Sequence, residues 1–255
     1  MPIQVIDRAV RLLRVIARRG PCSLTDLSRE ASLALPTTAR IVSSLVENGF
    51  LQRTDARKYQ LGARLLSLSS RLEPFRKSME LVHPYVERLC ARTREDCGFA
   101  VLQGNEALVI DWCHGPQGNR IIEPYSREIP LHCAFGKVLI AFQPAAWRTR
   151  FLQRTTLKKM AEGTVADKAA LAEEILRIRQ YGLYTSIAEN VEGAGSLTVP
   201  VFEQAGRLFG ALFVTGPLER FGERERKKFE VSLFEASARL SDQLRVSLRT
   251  SARRT

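Results

Sequence analysis

An α+β chain of more than one domain is the fold class that the sequence predicts, and three observations predict it. Its 255 residues are about twice the length of an ordinary domain. Apolar residues recur at helical spacing through the first fifty positions and give way to a short hairpin with a polar tip. Beyond Cys97, two strong hairpins alternate with helical stripes, which points to an antiparallel sheet covered by helices. With 45% hydrophobic and 26% charged residues, 16 Gly and 11 Pro, the composition is that of a globular protein and excludes collagen-like, disordered and disulfide-stapled classes.

The N-terminal elements follow in order. Val5, Ile6, Ala9, Leu12, Leu13 and Ile16 stripe a first helix that stops at Gly20-Pro21. Ser23 stands at the N-cap of a short second helix carrying Leu24, Leu27 and Ala31 and ending near Ser32. The third helix opens at Pro36, whose missing N–H would have had no partner in a first turn; Ile41, Val42, Leu45 and Val46 face inward, and Asn48-Gly49 closes it. Phe50 to Arg53 and Lys58 to Leu61 then flank a polar turn as a β-hairpin. Three helices followed by a hairpin make a winged helix-turn-helix, expected over residues 1–62.

Charge supports a polyanionic partner for this segment. The chain carries a net +12, and residues 1–62 hold ten basic side chains against five acidic ones, a net +5 in a quarter of the length. Thr37, Arg40, Ser43, Ser44 and Glu47 fall on the side of the third helix away from its apolar residues. Short hydroxyls with one arginine suit a face that enters a major groove. The competing role for Arg40 is a surface ion pair with Glu47 or Glu30. Arg53, Arg57 and Lys58 on the hairpin are placed to touch phosphates and specify little alone. The expected DNA-contacting set is therefore Ser23, Pro36, Thr37, Arg40, Ser43, Ser44, Arg53, Arg57 and Lys58, on a double-stranded operator.

Leu61, Leu65, Leu68, Leu72, Phe75, Met79 and Val82 keep an alternating 4, 3 spacing, a heptad register that buries itself against another helix. Pro74 interrupts it, so two linker helices are expected over 63–82. The other helix belongs either to the same domain or to a second chain; a second chain would make a homodimer that spaces two recognition helices on a two-fold operator.

Residues 83–255 form the larger domain. Phe99 to Leu102 and Ala107 to Ile110 make a hairpin around Gln103-Gly104-Asn105, and Ile121-Ile122 adds a short strand. Leu131 to Phe142 reads as a strand end passing into a helix. Asp167 caps a helix with Leu171, Ile175 and Ile178 inward, ending at Tyr181-Gly182. Leu197 to Phe202 and Leu208 to Val214 form the second hairpin, and Phe229, Leu233, Ala236, Leu240 and Leu244 stripe a last helix.

Cys22, Cys90, Cys97, Cys113 and Cys133 are an odd set without CxxC spacing, which fits a reducing cytoplasm. No apolar run approaches the roughly 20 residues of a membrane span, and no membrane partner is expected. An enzyme or metal site is the rival class, built from Cys113, His114, His132 and Cys133. Adjacent residues on a strand point to opposite faces, however, and no phosphate loop, HExxH or GxSxG motif accompanies them, so neither catalysis nor a cofactor is expected.

Across nearly its whole length the sequence resembles the IclR family of bacterial transcription regulators. The resemblance rests on Ala31-Ser32-Leu33 through Thr37 and Arg40, Leu45 through Gly49-Phe50, Tyr59-Gln60-Leu61-Gly62, Pro130-Leu131-His132 with Gly136-Lys137, Tyr181-Gly182, Glu189 with Gly193, and Gly210-Ala211 with Gly216-Pro217. It implies a GAF/profilin-like C-terminal domain that binds a small organic acid, and pairing of chains into dimers and dimers of dimers; effector binding would then alter either operator affinity or contact with RNA polymerase. It also implies an effector pocket of Cys133, Ala134, Phe135 and Gly136, then Ser186, Glu189 and Ser196, then Phe213 and Thr215. Free backbone N–H groups at the start of a 134–142 helix would hold the carboxylate. Four departures stand out: a loop one residue shorter before Gly136-Lys137, Ser196 in place of a frequent cysteine, Ser186 where an acid is common, and Phe213 where a small polar residue often occurs. Phe135 and Phe213 together favour an aromatic acid over a small keto acid. Repression and activation stay equally open.

Overall fold

The computed structural model describes residues 3–69, 73–116, 129–203 and 206–251. These divide into two compact units, one running to Lys77 and the other starting at Ser78.

In the first unit, helices α1 (Gln4–Arg19), α2 (Leu24–Glu30) and α3 (Leu35–Glu47) precede strands β1 (Leu51–Arg53) and β2 (Tyr59–Leu61). Leu12, Val15 and Ile16 of α1 share one buried core with Leu27, Ile41, Val42 and Leu51. Ser23 accepts from the Asp26 N–H at 3.1 Å and so caps α2. Helix α3 begins one residue earlier than expected, because Leu35 joins the turn while Pro36 stays inside it, where it removes no hydrogen bond. In the hairpin, Leu51 pairs with Leu61, and the Thr54 N–H closes the turn on the Lys58 carbonyl at 2.8 Å.

Two main-chain arrangements escaped the periodicity. Cys22 and Tyr59 exchange hydrogen bonds of 3.0 and 2.8 Å, which adds a third edge to the hairpin. After β2, the Gly62 N–H reaches the Phe50 carbonyl at 2.8 Å and the Arg64 N–H reaches the Gly49 carbonyl at 3.3 Å. A Cβ at position 62 would lie 2.2 Å from the Gly49 carbonyl oxygen, so only glycine allows the two backbones to approach this closely.

Helices α4 (Arg64–Ser69) and α5 (Glu73–Thr93) follow the heptad stripe, whose first residue, Leu61, lies in β2 instead. Pro74 sits in the first turn of α5, and Pro84 lies within that helix. Leu72 and the side chain of Phe75 fall outside the described residues. Leu61, Leu68 and Met79 are exposed, whereas Val82 is fully buried and continues into buried Val86 and Leu89. The stripe therefore changes task along its length: its downstream end packs into its own domain, and its upstream end stays open.

The second unit is built on one antiparallel sheet in the order β4-β3-β7-β6-β5, with β3 (Asp96–Gln103), β4 (Glu106–Cys113), β5 (Tyr184–Ile187), β6 (Ala194–Phe202) and β7 (Leu208–Pro217). Helices α6 (Phe135–Ala141) and α8 (Lys168–Tyr181) pack on Ala100, Ala211 and Phe213 of this sheet. The Asp167 carboxylate caps α8 through the Ala170 N–H at 2.8 Å. Helix α9 (Glu223–Ser251) runs along β6 and β7, with Phe229, Leu233, Leu240 and Leu244 buried.

Helix α7 (Ala145–Arg154) and strand β5 were not foreseen. Residues 131–134 form a turn rather than a strand end, because the Cys133 and Gly136 N–H groups close successive turns on the carbonyls of Pro130 and Cys133. The strand expected at Ile121-Ile122 lies outside the described residues. No described helix is long and apolar enough to cross a membrane.

Candidate nucleic-acid interface and ligand site

Helix α3 turns its chemistry outward. Ile41 and Val42 are buried, while Pro36, Arg40, Ser43, Ser44 and Glu47 are exposed and Thr37 is half-buried. Thr38, one position further on, belongs to the core and donates its hydroxyl to the Ala34 carbonyl at 3.1 Å. Both acids considered as partners for Arg40 are engaged elsewhere. Glu30 holds Arg18 at 3.2 Å and Arg19 at 2.7 Å, and Glu47 accepts from Ser43 at 3.2 Å. Arg40 has no ion pair among the described residues. Arg53, Arg57 and Lys58 are exposed on the hairpin, Arg57 with a positive φ of 57° at its tip. The Ser23 hydroxyl is occupied in two directions, since it also donates to the Asp26 carboxylate at 2.6 Å.

In the second unit the fold brings the expected effector-contacting residues together from three separate stretches. Ser186, Ser196 and Thr215 are cross-strand neighbours on β5, β6 and β7. One step along, Tyr184, Thr198 and Phe213 form a parallel row. Phe213 stacks on Phe135 of α6, with ring centres 4.5 Å apart and planes 18° apart, and leans on Trp112 at 5.4 Å. Gly98 makes room for that ring: a Cβ there would meet Phe213 at 2.5 Å. Cys133, Ala134, Phe135, Gly136, Ser186, Glu189, Ser196, Phe213 and Thr215 are all buried.

The expected carboxylate cradle is filled by the chain itself. The Ala134 N–H, at the start of α6, donates to the Glu189 carboxylate at 2.7 Å. The same carboxylate accepts from the Lys137 ammonium at 2.6 Å and from the Tyr184 hydroxyl. Lys137, with no exposed surface, also holds Glu174 at 2.6 Å and donates to the Tyr184 hydroxyl at 2.6 Å. Burial and the neighbouring Glu189 push the Tyr184 phenol well above its ordinary range, and burial pushes the Cys133 thiol up to about 12. Both groups therefore stay protonated near neutral pH. Sequence reasoning noted Lys137 only as part of a matching stretch. The available signal was that Lys137 is the one charged residue between Pro130 and Phe142, and a fully buried charge must be paired.

The rival Cys and His residues do not come together. His132 Nε2 contacts the Lys158 carbonyl at 2.9 Å, and Cys133 Sγ points at the Glu189 carbonyl at 3.8 Å. The His114 ring accepts from the Trp112 indole N–H at 3.2 Å, while Cys113 Sγ lies 3.9 Å from the His114 carbonyl. Among the described residues, no group of three or more His, Cys, Asp or Glu side chains is arranged to hold a metal ion.

A winged helix-turn-helix joined to a separate sheet domain with a side-chain cluster under its helices is the build of a DNA-binding transcription regulator that answers to a small molecule. Residues 5–55 match the IclR helix-turn-helix domain, and residues 77–242 match the C-terminal domain of bacterial transcriptional regulator IclR. The chain belongs to the IclR family of bacterial transcriptional regulators.

It is 30% identical over 217 residues to the probable transcriptional regulator SauR of Cupriavidus necator, covering 84% of this chain and 86% of that one. It is 25% identical over 240 residues to the transcriptional repressor IclR of Escherichia coli, covering 92% and 88%. Among solved structures, an IclR homolog from Microbacterium hydrocarbonoxydans complexed with 4-hydroxybenzoate superposes with a TM-score of 0.76 at 26% identity, over 94% of this chain and 98% of that one.

Proposed function

We propose that this regulator binds its operator through α3 and the β1–β2 hairpin and is controlled by an aromatic carboxylic acid held between α6 and the sheet. The observation that carries the ligand class is the Phe135–Phe213 stack, two parallel rings in a site where family resemblance places the effector. Opening that stack offers a planar slot whose walls suit a third ring. The solved relative named with 4-hydroxybenzoate supports the same class.

On the DNA side, Arg40 forks onto a guanine edge or a phosphate, with Thr37, Ser43 and Ser44 beside it and Pro36 at the entry to the groove. Arg53, Arg57 and Lys58 straddle the backbone, and Ser23 contributes by fixing the start of α2. Exposed Ile3 at the N-cap of α1 and Val5, Ile6 and Val10 within it, with Leu66, Leu68 and Met79, support pairing with a second copy, two such dimers forming a tetramer. The 63–82 linker relays effector binding to the operator or to RNA polymerase in the cytoplasm.

A thermal-shift screen of aromatic acids against short keto acids tests the ligand class, because a ligand that binds only the folded protein raises its melting temperature. Aromatic acids should stabilise the protein, and the hits should change the affinity of a fluorescent promoter fragment. Stabilisation by keto acids alone would overturn the assignment.

A further inference from the structure

The sheet face beneath α6 carries polar groups that no described residue satisfies. Ser196 Oγ, Thr198 Oγ1 and Asn190 Nδ2 are buried and without a hydrogen-bond partner among the described residues. Thr198 has no exposed surface and Ser196 has 6%. Leaving a buried hydroxyl unpaired is costly, and native interiors hold few such groups. Here two sit on one strand, two residues apart, and therefore on the same face.

Their cross-strand neighbours make no hydrogen bond to them. Thr215 donates its hydroxyl to the Gly195 carbonyl at 3.0 Å, and Tyr184 is held by Lys137 and Glu189. Phe213, the other neighbour of Thr198, offers only carbon and leans toward Gly98 and Trp112.

Electrostatics decides what part of a ligand this corner accepts. Lys137 already faces two carboxylates, Glu174 and Glu189, so a third anion would meet net negative charge in a poorly solvated place. A hydroxyl carries no charge and both donates and accepts, which matches what Ser196 and Thr198 lack.

We infer that Ser196 and Thr198 form a polar subsite that takes the ring hydroxyl of a hydroxylated aromatic acid, whose ring lies on Phe135 and Phe213 and whose carboxylate points away from Glu189. This rests on the effector reading above and makes it specific. A site built to pair a hydroxyl discriminates against the analogue that lacks it, because its own polar groups are then left unpaired.

The test is calorimetric titration of the full chain with benzoate and with 2-, 3- and 4-hydroxybenzoate, using wild type, Thr198→Val and Ser196→Ala, alongside urea unfolding of each protein without ligand. Wild type should prefer at least one hydroxybenzoate over benzoate by about tenfold. Thr198→Val should fold at least as stably as wild type, since it removes an unpaired group. It should also keep its benzoate affinity and lose most of the preference; Ser196→Ala gives the same reading if the valine variant misfolds. Equal binding of all four acids by wild type, an unchanged preference in both variants, or a clear loss of stability in both would overturn the subsite while leaving an aromatic effector in place. If no benzoate binds wild type, the effector reading itself fails and the subsite falls with it.

Discussion

The two regions expected to meet ligands are built in opposite ways. Helix α3 holds Arg40, Ser43 and Ser44 in water, with Arg40 unpaired among the described residues. The residues expected to meet the effector are buried in the second unit, and several of their polar groups are already engaged by Lys137, Glu189 and Tyr184. The contrast follows from the partners. DNA brings its phosphates to a surface, so cations can wait there in high dielectric at little cost to folding. A small molecule must be wrapped, and the charged groups that wrap it must be paired inside the fold before it arrives. Binding and stability should therefore come apart in the first region and stay coupled in the second.

The sharpest way to break that contrast is Lys137→Met. Removing the ammonium leaves buried Glu189 and half-buried Glu174 without their shared cation. Loss of one partner from such a cluster should lower stability by about 3–5 kcal/mol, measured by urea unfolding. A variant as stable as wild type would show that the cluster does not hold the second unit together.

Arg40→Ala is the counterpart on the exposed side. It should weaken operator binding by about 1–3 kcal/mol and reduce the salt dependence, with an unchanged melting temperature. Unchanged operator affinity would remove Arg40 from the reading surface.

A smaller effect probes the edge of the second unit. His83 Nδ1 lies 3.1 Å from the Asp111 carboxylate, and that hydrogen bond, with charge from Asp111 and Glu87, raises the imidazole above its usual 6.5. The protonated form is favoured by folding, so its contribution is fully present below the unfolded value of 6.5 and disappears as pH rises through the higher folded value. The melting temperature should fall slightly across that window in wild type, and His83→Gln should lack that component. An identical pH profile in the variant would leave the pair without a role in stability.

How much could be read beforehand depended on distance along the chain. Ser23, Asp167 and Gly182 mark helix ends through neighbours a few residues away, so their roles were legible. The hairpins were legible in the same way, from alternation over eight to ten residues. Strand β5 was missed because Tyr184 to Ile187 is short and polar, and only its pairing with β6 makes it a strand. The buried cluster was missed because Lys137, Glu174 and Glu189 come from three elements, and no local pattern announces that they meet. The same gap led to the expectation of an open anion cradle at Ala134, where the chain supplies its own carboxylate from 55 residues away. Carrying residues over from the family placed Ser196 and Phe213 in one neighbourhood, but Thr198 drew notice only through its missing hydrogen bond.

The backbone crossing at Gly49 and Gly62 has a mechanical meaning. Where α3 ends, the segment leading into α4 is fastened to it by main-chain bonds with no side chain between them. A twist applied to α4 should therefore reach the C-terminal end of α3 through the main chain alone, with the hairpin tied to the start of α2 by the Cys22–Tyr59 bridge. Lever and blade are one piece, and glycine is the weld.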